Sequence, residues 1–97
     1  ELESRLTVLL QHLLKWQYQP ARRGKSWELT IKGQRVNFLK VLRDNPGLKP
    51  KLAGILIDAY QSAVIDASQE TGYDEKVFPS VCPWSFEEIA KDGFYPD

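Results

Sequence analysis

Ninety-seven residues, 42% hydrophobic and 27% charged, suit one globular domain with a single core and exclude a disordered chain. No apolar run approaches the roughly 20 residues that cross a bilayer, and no basic-then-apolar leader opens the chain, so a cytoplasmic protein without membrane partners is predicted. Thirteen basic and thirteen acidic side chains cancel, while one cysteine and one histidine make neither an internal disulfide nor a zinc ligand set, so no metal and no cofactor is expected.

The zero net charge hides a division along the chain. Residues 15–51 hold ten basic and two acidic side chains, a net +8, and residues 52–97 hold two basic and nine acidic ones, a net −7. Either the basic stretch meets an anionic partner or the two stretches face each other in the fold.

Helical spacing begins at once. Over 2–17, Leu2, Leu6, Leu9, Leu10, Leu13, Leu14 and Trp16 cover a stripe far wider than a coiled-coil seam, so this helix must touch more than one neighbour. Glu1 has neither a methionine nor a capping residue ahead of it, which predicts that residues 1–97 are a single helical domain forming the C-terminal part of a longer protein. Pro20 breaks the helix, and a basic hinge of Arg22, Arg23 and Lys25 leads to Ser26, a good N-cap for a second helix that ends near Arg43. On that helix Trp27, Ile31, Phe38, Val41 and Leu42 share a face, with Gln34 and Arg35 inside it; the opposite face gathers Lys32, Lys40 and Arg43 around Leu29 and Val36.

Asn45-Pro46-Gly47 separates this helix from a third over 49–71, with Pro50 in its first turn and Gly72 as its C-cap. The seam of Leu52, Leu56, Ala59, Tyr60, Ala63 and Ala67 contains small residues that let another helix approach closely. From Phe78 to Trp84 prolines alternate with large apolar groups, the pattern of a segment laid across the open end of a bundle. Ser85 and Glu88 then form a capping box for a short helix over 86–91, closed by Gly93. No strand is predicted. The expected fold is all-α, a small helical bundle of three main helices plus a short C-terminal helix.

His12-Leu13-Leu14-Lys15-Trp16-Gln17, Ser26-Trp27, Gln34-Arg35, Asn45-Pro46-Gly47-Leu48, Ala59-Tyr60, Glu70-Thr71-Gly72 and Phe78-Pro79 through Cys82-Pro83-Trp84 recur at spaced positions along nearly the whole chain. In these the chain resembles the bacterial domain-of-unknown-function family numbered twenty-nine. The resemblance implies an all-helical protein with a further helical portion upstream. It transfers no activity, cofactor or catalytic residue.

Several constellations invite a chemical reading. Gly24-Lys25-Ser26 matches the end of a phosphate-binding loop, but Gln19 stands where a glycine is required and a helix precedes instead of a strand, so nucleotide hydrolysis is rejected. Arg22, Arg23 and Lys25 with the free amides of the second helix remain a candidate for holding a phosphate or sulfate, beside the alternative of a solvated hinge. Arg35 lies within an apolar seam and, if buried, needs a carboxylate; Glu70 is the preferred partner and Asp66 the second, the alternative being a stem that packs while its head reaches water. His12 and Cys82 are formally a base and a nucleophile, yet fit a packing role better, and no catalytic residue is assigned.

The leading functional expectation is a non-enzymatic interaction module, self-associating as a homo-oligomer or binding a protein partner through Leu6, Leu9, Leu10, Leu13 and Trp16. The alternative is a nucleic-acid-binding domain using Arg22, Arg23, Lys25, Lys32, Lys40 and Arg43, with Trp16, Tyr18 and Trp27 as stacking surfaces.

Overall fold

The leucine-rich stripe forms the helix that its spacing predicts: in the computed structural model, which describes residues 1–97, α1 spans Leu2–Tyr18. A single 3-10 turn at Pro20–Arg22 follows, then α2 at Lys25–Asp44, a second 3-10 run at Pro46–Lys51, α3 at Leu52–Thr71, a third 3-10 turn at Glu75–Val77, and α4 at Phe86–Ala90. The fold is all-α with no strand, and no helix is long and apolar enough to cross a membrane.

Two helix starts differ from expectation. Ser26 is not an N-cap; α2 begins two residues earlier than that cap implies, at Lys25, after an extended Gly24. The 3-10 turn shortens the hinge, and Arg23 is tied back to the end of α1 by its Nε donating to the Trp16 carbonyl at 2.7 Å. α3 starts at Leu52 and not at Lys49, because Pro50 lacks an N–H and disfavours helical backbone in the residue before it, leaving Pro46–Lys51 as a 3-10 run. Gly72 closes α3 in the left-handed conformation at φ 77°. The Ser85–Glu88 capping box forms in full.

α1 is the central element. α2 and α3 both pack along it, while making next to no contact with each other. α3 runs parallel to α1, with Glu70 beside Gln11 and Lys15 at one end and Ile55 near Leu2 at the other. α2 runs antiparallel, with Trp27 beside Lys15 and Val41 near Leu2. Ala59, Ala63 and Ala67 are fully buried in α3, where their size permits close approach.

The remaining side of α1 is covered by the C-terminal segment. Phe78 packs edge-on against Tyr18 at 5.0 Å, the Tyr60 hydroxyl donates to the Pro79 carbonyl at 2.7 Å, Phe86 meets Phe38 at 6.0 Å, and Tyr95 lies 4.7 Å from Trp16. The segment therefore lies along a side of the bundle, from α3 over to α2 and back to the end of α1, and does more than close one end.

This enclosure corrects the contact surface read from the sequence. Leu6, Leu9, Leu10 and Leu13 have zero exposure within their own chain, as does Leu14. A stripe too wide for one neighbour is matched by three neighbours in the same fold, so these leucines are core and offer nothing to a partner. Trp16 is half-buried, its ring held between Tyr95 and the Arg23 guanidinium, which lies 5.3 Å from the ring centroid.

Candidate functional site

Gln11 and Lys15 stand one helical turn apart on the side of α1 that faces the gap between α2 and α3. Both are buried, and both donate to the Glu70 carboxylate reaching across from the last turn of α3: Lys15 Nζ lies 2.8 Å from Oε1, and the Gln11 amide bonds Oε2. Trp27, from the first turn of α2, sets its ring 5.0 Å from the same ammonium. One cluster thus joins all three main helices.

The Lys15 hydrogen bond, more than the opposing effect of burial, holds the Glu70 carboxyl below the ordinary carboxylate range. Glu70 therefore stays ionised, and its side chain remains about half exposed at 55%. His12 sits next to the cluster with Nδ1 2.8 Å from the Val8 carbonyl, and burial, with Lys15 adding to it, pushes its pKa down. These groups form a charge-matched clasp. They do not form a poised acid and base, since the carboxylate is spent on two donors and the ammonium is held against an aromatic face.

The pairing proposed for Arg35 is corrected. Arg35 is buried at 2% exposure, but Glu70 is not its partner and neither is Asp66. Its Nε donates to the Ile89 carbonyl at 2.8 Å and its Nη2 to the Phe94 carbonyl at 3.0 Å. The reason is position along the helix: Trp27 is the α2 residue level with the Lys15–Glu70 cluster, and Arg35, eight residues further along α2, lies about 12 Å away from that level, where the C-terminal segment covers it. Ile89 lies in the last turn of α4, whose carbonyls have no intrahelical donor, and the guanidinium supplies one. Burial lowers the Arg35 pKa, with Tyr95 and Asp92 opposing that effect.

His12 and Cys82 do not meet. The Cys82 thiol contacts the Trp84 carbonyl at 3.5 Å, and burial pushes its pKa up, which disfavours the nucleophilic thiolate. The Tyr60 phenol, donating to Pro79, is likewise raised by burial.

The basic residues separate into two groups. Arg23 is taken up by the Trp16 carbonyl and ring. Arg22, Lys25, Lys32 and Lys40 are exposed and form no ion pair, and Arg43 pairs only with its neighbour Asp44 at 3.0 Å, both side chains open to solvent. Along α2 these cations alternate with Leu29, Val36 and Leu39, which are 59%, 45% and 38% exposed. Of the three ion pairs in the molecule, Lys15–Glu70 alone joins the basic stretch to the acidic one; Arg5–Glu1 and Arg43–Asp44 are local. The division of charge therefore persists on the folded surface.

A second surface feature was not singled out from the sequence. Leu56, Ile57, Tyr60, Val81, Trp84 and Ile89 line a cavity of about 360 Å³ between α3, the loop before α4, and α4 itself. Its only sequence signal is the run of apolar residues between prolines from Phe78 to Trp84, which reads equally well as core.

The Gln11–Lys15 pair was also overlooked, although two long polar side chains one turn apart inside a leucine stripe mark it. No curated protein and no solved structure matches this chain. The family model described as "Domain of unknown function DUF29" matches residues 1–95, nearly the whole chain, and the protein therefore belongs to that family.

Proposed function

We propose that this domain is a non-catalytic interaction module whose outer α2 face takes an acidic, partly apolar protein segment. The observation that carries this reading is the alternation of Leu29, Val36 and Leu39 with Lys25, Lys32, Lys40 and Arg43 on one solvent-facing side of α2. An amphipathic partner helix with acidic flanks uses both kinds of group: its apolar residues remove the leucines and valine from water, and its carboxylates meet the cations.

A nucleic-acid backbone uses the cations alone. The aromatics that would stack on bases are already engaged, Trp16 with Tyr95, Tyr18 with Phe78, and Trp27 with Lys15.

The test compares two fluorescent probes, a helical peptide of leucine and glutamate and a single-stranded oligonucleotide, by anisotropy at low and at moderate salt. The peptide is expected to bind and to lose at least tenfold in affinity when Leu29 and Val36 are both changed to Ser, with the oligonucleotide showing little binding. Equal binding of the oligonucleotide, unaffected by those substitutions and fading steeply with salt, transfers the site to nucleic acid. No binding of either probe at low salt ends the reading.

A further inference from the structure

We infer that the segment docked on the α2 face is the α3 side of a second copy of this chain, so that copies associate head to tail. The inference rests on the reading of α2 as a docking face and names its occupant.

Three observations support it. First, the three most exposed large hydrophobic side chains are Val81 at 76%, Ile57 at 62% and Leu29 at 59%. Ile57 and Val81 border the cavity beside α3, and Leu29 stands on the outer face of α2. The chain thus carries an apolar ridge and, elsewhere, an apolar hollow of about 360 Å³, a volume able to receive branched side chains.

Second, the charges are complementary. The ridge carries Lys25, Lys32, Lys40 and Arg43, whereas Asp58 adjoins Ile57 on α3 and Glu87 and Glu88 precede Ile89 on α4, all three exposed. Residues 15–51 sum to +8 and residues 52–97 to −7, and a single ion pair within the fold joins the two stretches. Oppositely charged surfaces of this kind steer like copies into register and are weakened by salt.

Third, the two surfaces share no residue, and the helices that carry them are kept apart by α1. A contact between different surfaces on identical chains is heterologous. Each added copy leaves one α2 face and one α3 face free, so assembly continues as a row unless the free faces meet and close it as a ring.

The experiment uses sedimentation equilibrium on the unmodified chain and on two variants changed only at exposed positions, one carrying Leu29→Ser with Lys32→Gln and the other Ile57→Ser with Asp58→Asn. Circular dichroism first confirms that each variant keeps its helical content. The unmodified chain is expected to gain mass with concentration at low salt and to return to a single chain at high salt. Each variant alone stays a single chain. Mixed, they form a one-to-one pair and nothing larger, because each variant supplies the face that the other lacks.

A mixture that stays monomeric while the unmodified chain associates means an isologous contact and overturns the inference. An unmodified chain that stays monomeric at low salt overturns it as well. If the leucine–glutamate peptide still binds in that case, the docking reading stands and its partner is another protein; if the peptide fails too, both fall.

Discussion

Lys15 and Arg35 are as buried as the leucines around them, at 5% and 2% exposure, yet the fold accommodates them differently. At the seam of α1 and α3, Lys15 meets a carboxylate, a glutamine that shares the same carboxylate, and the face of Trp27. At the seam of α2 and the C-terminal segment, Arg35 meets only backbone carbonyls, those of Ile89 and Phe94. An ammonium is a compact charge that needs an anion close by, whereas a guanidinium distributes its charge over a planar fork and satisfies two acceptors at once. The lysine fastens two regular helices to each other. The arginine fastens an irregular segment whose own backbone bonds are few.

Removing the fork should cost most. Arg35→Met keeps the side chain's bulk but leaves two carbonyls without a donor, and charge-assisted bonds of this kind contribute about 1.5–3 kcal/mol each. A loss of about 3 kcal/mol in denaturant unfolding is expected, with amide exchange accelerating first between Ile89 and Tyr95. Arg35→Lys should recover less than half of it, since one ammonium does not span two separated carbonyls. A loss under about 1 kcal/mol would show that aromatic packing, and not the fork, retains the segment.

Breaking the other site should cost less. Glu70→Gln leaves the buried Lys15 ammonium with a neutral partner. Breaking a fully buried pair costs about 3–5 kcal/mol, but Glu70 is half exposed and water screens what remains, so about 2 kcal/mol is expected at neutral pH. The same substitution should change the acid limb of stability. The Glu70 carboxyl is held below its ordinary value of 4.5 chiefly by the Lys15 hydrogen bond, so its contribution is complete above pH 4.5 and disappears as the pH falls through the depressed native value. Urea midpoints measured down that limb should flatten in Glu70→Gln and keep their slope in Arg35→Met.

Trp27→Leu removes the aromatic face over Lys15 while retaining apolar cover, and a cation–π contact in this setting is worth about 1 kcal/mol. That loss should shrink when Lys15 is already Met, a coupling that a double-mutant cycle measures. The smallest expected effect belongs to His12. Burial lowers its pKa from the ordinary 6.5, so the folded chain favours the neutral ring; this contribution is complete above pH 6.5 and is lost as the pH falls toward the lowered native value. His12→Asn should remove that shallow upper limb and leave the Glu70 limb below it in place.

The clasp and the fork differ in how readable they were. Arg35 stood out because a charge inside an apolar seam needs a partner, and it is indeed buried, with Nε and Nη2 each bonded to a carbonyl. Its partner was misassigned, since a search for carboxylates overlooks backbone carbonyls, which every residue carries. Glu70 pairs with Lys15, a different cation from the one the sequence points to. Nothing local shows that a lysine at the end of a leucine helix will be covered by Trp27.

Local physics is legible wherever the cause lies within a turn or two. The helical period of α1, the small-residue seam of α3, the left-handed Gly72 and the Ser85–Glu88 box all follow from neighbouring residues. The start of α2 lies two residues before the one that Ser26 implies, where the Arg23 tie to Trp16 joins positions across the hinge. What lies on each helix face was decided by the tertiary structure. Spacing showed that α1 needs several neighbours, but whether those belong to the same chain depends on contacts between residues 54 to 59 positions apart, such as Lys15 with Glu70 and Arg35 with Phe94. Periodicity determines which side chains share a face; only the closing of the chain around α1 determines that the leucines are enclosed and that the basic ridge of α2 is left in water.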